Sequence, residues 1–263
     1  MIKTFHEAPK SIFSVVQTRT HGDYALVHLL EQDPEYAELF LQAKKDGREI
    51  ILDNSIFELG EAFDTHLYVK WIETLQPDWY ILPDSLENSL ETREKAGEWV
   101  KQYPHLGGKK IGVVQGKTLE ELVECYRYMT ENIKVDKVAI SFDYSYYQKS
   151  FPHPNKWVSY MMGRVKFIGD LTRSGVFKEN IPLHLLGVAL PQEGLFYRNY
   201  DFIDSVDTSN PVVHGIKGYG YEKTGLWKKE TQMLHTLINH DCDAEDFQLI
   251  TENIMDFNSY WNA

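Results

Sequence analysis

Eight short runs, apolar and rich in β-branched residues, each end in polar residues and give way to a helical pattern, and this alternation constrains the fold more tightly than any other feature. They are IFSVVQ from Ile12, YALVHLL from Tyr24, EIILD from Glu49, WYILPD from Trp79, KIGVVQG from Lys110, KVAISFD from Lys137, PLHLLGVA from Pro182 and DFIDSVD from Asp201. Near-continuous apolar runs are what a parallel sheet covered on both faces demands, because neither face meets water. The intervening segments carry helix starts. Thr118 and Glu121 have capping-box spacing, ahead of an apolar face of Leu119, Leu122, Val123, Tyr126 and Met129. Asp64 can cap a helix carrying Leu67, Trp71, Ile72 and Leu75, and Pro34 suits the first turn of a helix with Tyr36, Leu39 and Phe40.

Eight strands alternating with helices in 263 residues predict an α/β fold, a closed (β/α)8 TIM barrel, which typically takes about 250 residues. An open doubly wound sheet is disfavoured, because Gln17 to Gly22 holds one glycine after the first run and no phosphate cradle. Tyr144 to Ile181 must hold more than one crossover helix, one of them within Asn155 to Val176. Beyond Asp207 the tail is too long for a simple closing helix, and Leu226 to Ile238 and Ala244 to Phe257 read as two. The expected organisation is a catalytic barrel over residues 1–211 and a helical extension over 212–263, packed on it.

Lys and Arg number 27 against 39 Asp and Glu, a formal charge of −12. That argues against coating nucleic acid by bulk attraction and leaves room for a grip through one local patch. Two cysteines, Cys125 and Cys242, are too few for a disulfide framework or a four-thiolate metal centre, and fit a reducing compartment. No apolar run approaches the roughly 20 residues that span a bilayer, and the first residues lack a signal-peptide core. The expectation is a cytoplasmic protein with no membrane partner.

In such a barrel, active sites are built at the C-terminal ends of the strands. Asp53, Asp84, Gln115, Asp143 and Asp207 end their runs, and Gly187 permits a close backbone approach at the seventh. A single Asp there often only caps the next helix. Several on one rim, with an amide and a glycine, point to chemistry. A carboxylate suits attack on an anomeric carbon, where it forms a covalent glycosyl intermediate that a second acceptor can release. A second carboxylate handles the proton if the two environments differ. Gln115 and a backbone amide near Gly187 match the edge of a heterocyclic base, and Phe57 offers a ring for it to stack on.

At these residues the chain resembles the tRNA-guanine transglycosylase superfamily. That family's segments run Asp-Ser-Gly-Gly-aromatic-Gln, an Asp after the next strand, Val-Gln-Gly-Gly, a Gly-rich strand end, and Ile-Asp-x-x-Asp ahead of a Pro. The counterparts here are Asp53-Asn54-Ser55-Ile56-Phe57-Glu58, Leu82-Pro83-Asp84, Gly112-Val113-Val114-Gln115-Gly116, Leu186-Gly187-Val188, and Ile203-Asp204-Ser205-Val206-Asp207 before Pro211. Order and intervals match from about Ser11 to Pro211. The resemblance implies Asp207 as the nucleophile on the sugar C1′ and Asp53 as the general acid/base. It implies Asp84 and Gln115 against the purine edge, Gly187 and Val188 presenting backbone groups to the base, and Phe57 stacked on it. Asp204 is the competing nucleophile if the register slips by three.

The departures carry information too. Ser55 and Ile56 stand where the family has glycines, Glu58 replaces Gln, and Lys117 replaces a second Gly. The family's tRNA enzymes carry a zinc site of three Cys and one His after the last strand, whereas only Cys242 follows Pro211 here. Neither zinc nor any other metal or cofactor is implied. In its short length and missing module the chain is similar to the phage and bacterial DNA 7-deazaguanine transglycosylases. These exchange guanine in DNA for a preformed 7-deazaguanine base such as preQ0 and so protect it from restriction. The partners implied are DNA, the free base and a companion protein that opens the duplex, since the guanine must leave the stack. Lys217, Lys223, Lys228 and Lys229, with Tyr219, Tyr221 and Trp227, are the candidate DNA contacts. Three other readings stay open: a transglycosylase for tRNA or another RNA, a metal-dependent barrel hydrolase, and a noncatalytic barrel that binds a nucleobase or partner. The hydrolase would use Asp53, Asp84, Asp143 and Asp207 with His28, His184 or His214.

Overall fold

The computed structural model describes residues 1–262. Its eight strands are β1 (Lys3–His6), β2 (Asp23–Leu26), β3 (Ile50–Asp53), β4 (Trp79–Ile81), β5 (Lys109–Val114), β6 (Lys137–Ser141), β7 (Leu183–Leu186) and β8 (Ile203–Thr208). They pair in parallel from β2 through β8 and on to β1, with helices between them, as a (β/α)8 barrel. Between β1 and β2 a side chain replaces the ladder. Thr20 Oγ1 donates to Thr4 O at 2.5 Å and accepts from His6 N at 3.1 Å, while His21 N donates to Thr4 O at 2.9 Å.

Strands such as Ile50-Ile51-Leu52 and Val138-Ala139-Ile140 are buried on both faces, which is why they read as unbroken apolar runs. The register puts Phe5, Tyr24, Ile51, Ile81, Ile111, Ala139, His184 and Asp207 on one shared face. That face is the barrel interior: Tyr24 of β2 stacks on His184 of β7 across the ring, with centroids 6.2 Å apart. Branched apolar residues usually fill this space. Here Lys137, His184 and Ser205 stand in it, all fully buried. Between β7 and β8, Leu183 pairs with Ile203 but His184 pairs with Ser205, so Asp204 is the extra residue of a β-bulge.

The helix starts are held as their chemistry requires. Asp64 accepts from Leu67 N at the head of the helix Thr65–Leu75, and Asp33 caps Pro34–Lys45 with Pro34 in its first turn. Thr118 Oγ1 accepts from Glu121 N at 3.2 Å, but Glu121 reaches back to Lys117 N at 2.7 Å, one residue earlier than a capping box requires. The long β6–β7 connection holds two helices, Ser145–Ser150 and Lys156–Arg173.

Two expectations are corrected. The run from Ile12 is a short helical turn followed by the helix Phe13–Gln17, and the first strand lies upstream at Lys3–His6. Ile12 and Val16, four residues apart, bury together against Val212, Val213 and Leu234, a helical spacing. The segment Leu226 to Ile238 is not a helix. A π-turn at Tyr221–Gly225 precedes it, and only Leu234–Leu237 makes a 3-10 turn. Between them, Lys229 to Met233 line the cleft described below.

The last helix, Ala244–Asn262, packs on the helix Asn210–Ile216 and on the turn Pro191–Phe196. Its end reaches β1: Ile2 N donates to Asn262 Oδ1 at 2.9 Å, and Phe257 meets His6 edge-on. No helix among the described residues is long and apolar enough to cross a membrane.

Candidate active site

A cleft of about 280 Å³ opens at the C-terminal ends of the strands and brings together Asp53, Phe57, Asp84, Gln115, Asp143, Gly187 and Asp207. Asp207 comes from the end of β8. Its Oδ1 lies 3.0 Å from His184 Nε2 and accepts from Gly187 N at 3.2 Å. Its Oδ2 takes no hydrogen bond among the described residues and is the atom left to face the cleft.

The backbone at Gly187 has φ +60°, and a Cβ there would sit 2.6 Å from the Phe142 ring, so both conformation and space demand glycine. Arg164, fully buried, fixes the strand ends around it. Its guanidinium donates to Ile140 O at 3.2 Å, Leu186 O at 3.0 Å and Gly187 O at 2.9 Å, and pairs with the equally buried Glu193 at 2.7 Å. Tyr197 also donates to Glu193, at 2.8 Å. A buried pair satisfied on every side is a rigid mount.

Asp53, at the end of β3, accepts from Tyr24 OH at 2.6 Å and from Ser55 N at 2.5 Å. Burial pushes its carboxyl up to about 7 against these hydrogen bonds, and the charges of Asp207 and Asp84 add to the rise. A carboxyl that titrates near neutrality is suited to carrying a proton.

Asp84 and Gln115 share one wall and bind each other, Gln115 Nε2 donating to Asp84 Oδ2 at 2.7 Å. Asn54 Nδ2 donates to Asp84 Oδ1 at 2.8 Å, and Glu87 N donates to Gln115 Oε1 at 2.8 Å. Burial raises the Asp84 carboxyl, while Asn54 and Gln115 oppose the rise. Phe57 is 39% exposed and meets Phe142 edge-on, and Phe142 in turn meets Tyr160 edge-on. Asp143 lines the same cleft and accepts from Ser141 Oγ at 2.8 Å.

Several expectations change on contact with the geometry. The N–H of Gly187 donates to Asp207 Oδ1 and its carbonyl accepts from Arg164, which leaves one carbonyl lone pair as the backbone group it can still offer a base. The Val188 carbonyl accepts from Lys229 Nζ at 3.0 Å, and Val188 itself is buried behind the cleft lining. Lys229 therefore leaves the set of surface lysines and joins the site, over the Phe142 ring at 4.8 Å. Burial lowers its ammonium to about 8, while Glu7, Asp207 and Asp143 oppose the fall. Lys217, Lys223 and Lys228 remain on the surface, Lys228 paired with Glu230 at 3.2 Å.

Asp204 is removed as rival nucleophile. It turns to the base of the barrel, where Lys137 Nζ donates to its Oδ2 at 2.5 Å. Burial pushes the Asp204 carboxyl up, but the ammonium of Lys137 outweighs this and holds it below the usual carboxylate range.

Glu7 escaped sequence reading, while Glu58, Lys229 and His184 were noted there in other capacities: as a departure from the motif, as a candidate DNA contact and as a candidate hydrolase ligand. Glu7 follows β1, a strand without an apolar run to announce it, and burial drives its carboxyl well above the usual value, with Asp207, Glu58 and Asp53 adding to the rise. Glu58 has a buried Oε2 without a partner, and burial beside Asp53 lifts it to about 8.

The hydrolase arrangement is not formed. Among the described residues, the only His, Cys, Asp or Glu triple whose ligand atoms converge is His240, Cys242 and Asp246, away from the cleft. His214 is bonded to the carbonyls of Asn210 and Lys228, and His28 meets His235. The chain matches no protein-family model and no curated protein.

Proposed function

We propose that this protein is a DNA-guanine transglycosylase, a pentosyltransferase that exchanges guanine in DNA for a 7-deazaguanine base such as preQ0. The observation that carries the reading is the pair of unlike carboxyls facing one cleft: Asp207, with Oδ1 occupied and Oδ2 open, and Asp53, titrating near 7. In this mechanism Asp207 Oδ2 attacks C1′ as the bond from C1′ to the guanine nitrogen breaks, and Asp53 gives its proton to the departing base. The incoming base returns a proton to Asp53 and attacks C1′, breaking the ester to Asp207. Two inversions retain the configuration. Asp84 and Gln115 border the edge of the bound base, and Phe57 its face.

The charge of the cleft supports a flipped base as the group that enters. Glu7, Asp53, Glu58, Asp84, Asp143, Asp207 and Glu230 line it with Lys156 and Lys229. Such a site, with several carboxyls held protonated by burial and few cations to grip a phosphate, suits an uncharged ring and leaves the nucleic-acid backbone on the rim. Lys156 and Trp157 stand there, with Trp227 close by, 68% exposed and accepting from Asn155 through its carbonyl. DNA in place of RNA, and preQ0 as the base, rest on the sequence resemblance.

The test is isotope-labelled preQ0 incubated with the protein and matched single-stranded DNA, duplex DNA and RNA, followed by nucleoside mass spectrometry. Label in deoxynucleosides, lost in Asp207→Asn, is the expected result. Faster labelling of RNA moves the substrate to RNA. No label in any polymer, with preQ0 or guanine, overturns base exchange.

A further inference from the structure

Beneath Asp207 lies a chain of buried polar groups that the exchange chemistry above does not use. Lys137 Nζ donates to Asp204 Oδ2 at 2.5 Å and to Ser205 Oγ at 3.2 Å. Ser205 Oγ lies 2.9 Å from His184 Nδ1, and His184 Nε2 lies 3.0 Å from Asp207 Oδ1. Lys137, Ser205 and His184 are each fully buried, so the path is shielded from bulk solvent. The bulge at Asp204 makes the path, because it lets Asp204 and Ser205 both reach Lys137 while Asp207 still ends β8 in the cleft.

Donor and acceptor rules give this path a direction. An ammonium has protons to give and no lone pair to receive one, so Ser205 Oγ accepts from Lys137. The serine proton then has His184 Nδ1, 2.9 Å away, as the acceptor at hydrogen-bond geometry, with the Asp204 carboxylate, which the same hydroxyl stabilises, as the competing acceptor. A ring with an accepting Nδ1 carries its proton on Nε2, aimed at Asp207 Oδ1. Burial lowers the His184 imidazolium despite the opposing charge of Asp207, in keeping with one ring proton and not two. Tyr24, parallel to the ring with centroids 6.2 Å apart, and Phe5, edge-on at 6.4 Å, flank it.

We propose that His184 is a positioning residue for Asp207, locked as the Nε2–H tautomer by a Lys137–Ser205 relay, so that Asp207 Oδ1 is occupied and Oδ2 is the attacking atom. This rests on the base-exchange reading for its rate consequence, but the tautomer can be measured without any substrate. Without the serine hydroxyl the ring can take the Nδ1–H form, which turns a lone pair on the carboxylate. The arrangement resembles a Ser-His-Asp set in its parts but not in its roles, since here the carboxylate reacts and the serine steers.

Two measurements test it. In 15N-histidine-labelled protein at pH 7, the His184 resonance, assigned by its loss in His184→Gln, should report a protonated Nε2 and a bare Nδ1. Ser205→Ala should shift that resonance toward the other tautomer, and Ser205→Thr, which keeps the hydroxyl, should not. In single-turnover trapping of the DNA adduct, His184→Leu should slow formation by about 100-fold, the scale of losing one fixed donor. His184→Gln, whose amide can reach the same oxygen, should recover most of that rate, and thermal unfolding identifies any variant that fails to fold. A wild-type ring protonated on Nδ1 or on both nitrogens, or a tautomer unmoved by Ser205→Ala, overturns the relay. Absence of any wild-type adduct counts against base exchange and leaves the resonance measurement to decide the relay.

Discussion

The β7–β8 wall of the cleft holds Asp207 through donors that are themselves hydrogen-bonded, whereas the β3 wall presents Asp53 from the strand end and Phe57 and Glu58 from the short turn after it, with one buried carboxyl oxygen unpaired. On the first wall, Gly187, His184 and the Arg164–Glu193 pair form one satisfied network. On the second, Ser55 takes the left-handed backbone at φ +60° and Glu58 Oε2 is buried alone. The difference separates two tasks. Aim comes from fixed hydrogen bonds, and a carboxyl that changes protonation near neutrality comes from withholding solvent.

The largest way to break this contrast is Arg164→Met. It leaves Glu193 buried without its cation, and should cost about 3–5 kcal/mol of stability. Phe57→Leu, on the other wall, should change stability by under about 1 kcal/mol, as a partly exposed apolar swap does. Denaturant unfolding of both variants measures the pair, and equal losses would mean that the two walls are not mechanically distinct.

The next effect is a pH dependence with an unusual sign. Asp53 and Glu58 are raised in the fold to about 7 and about 8, so the folded protein binds more protons than the unfolded chain. Their contribution to stability is therefore lost as pH rises from the ordinary carboxylate range toward 7 and 8. Asp53→Asn removes one of these groups. It should raise the melting temperature relative to wild type at pH 8.5 and do so far less at pH 4.5, when both are followed by thermal unfolding. An equal gain at both values would mean that Asp53 is not held protonated by the fold.

The smallest effect lies outside both walls. Replacing Lys217, Lys223 and Lys228 together by Gln should flatten the salt dependence of DNA binding by at most about 2–3 in log–log slope. The pairing of Lys228 with Glu230 lowers that ceiling. An unchanged slope would move the backbone contacts to other residues, of which Lys156 beside Trp157 is nearest the cleft.

Seven of the eight strands were legible because both faces of each are covered, and continuous burial writes an apolar run. β1 was not, since Lys3-Thr4-Phe5-His6 needs only Phe5 as its apolar filling. The run at Ile12 misled because a short helix buried along one edge can be as apolar as a strand. In the site, Asp53, Asp84, Gln115 and Asp207 stood out as polar ends of apolar runs. His184 and Lys229 did not. One looks like a core histidine inside its strand, and the other looks like a surface lysine until the chain from Lys229 to Met233 folds over the rim. Both acquire their roles from contacts across the ring, which local pattern does not encode.

Asp204 has no partner of its own on β7, so β8 delivers Asp204, Ser205 and Asp207 to the site and its relay, where strict alternation over those four positions would deliver two. A strand of this kind tolerates changes in length unequally. Loss of the codon for Asp204 would straighten the ladder and keep Ser205 and Asp207 pointing inward. A single-codon insertion or deletion between Ser205 and Asp207 would turn the carboxylate out of the barrel, because side chains alternate with a period of two. Mutational drift in strand length is thus permitted on the Ile203 side of Ser205 and forbidden on the other, a parity rule that deep scanning of single-codon deletions would read directly.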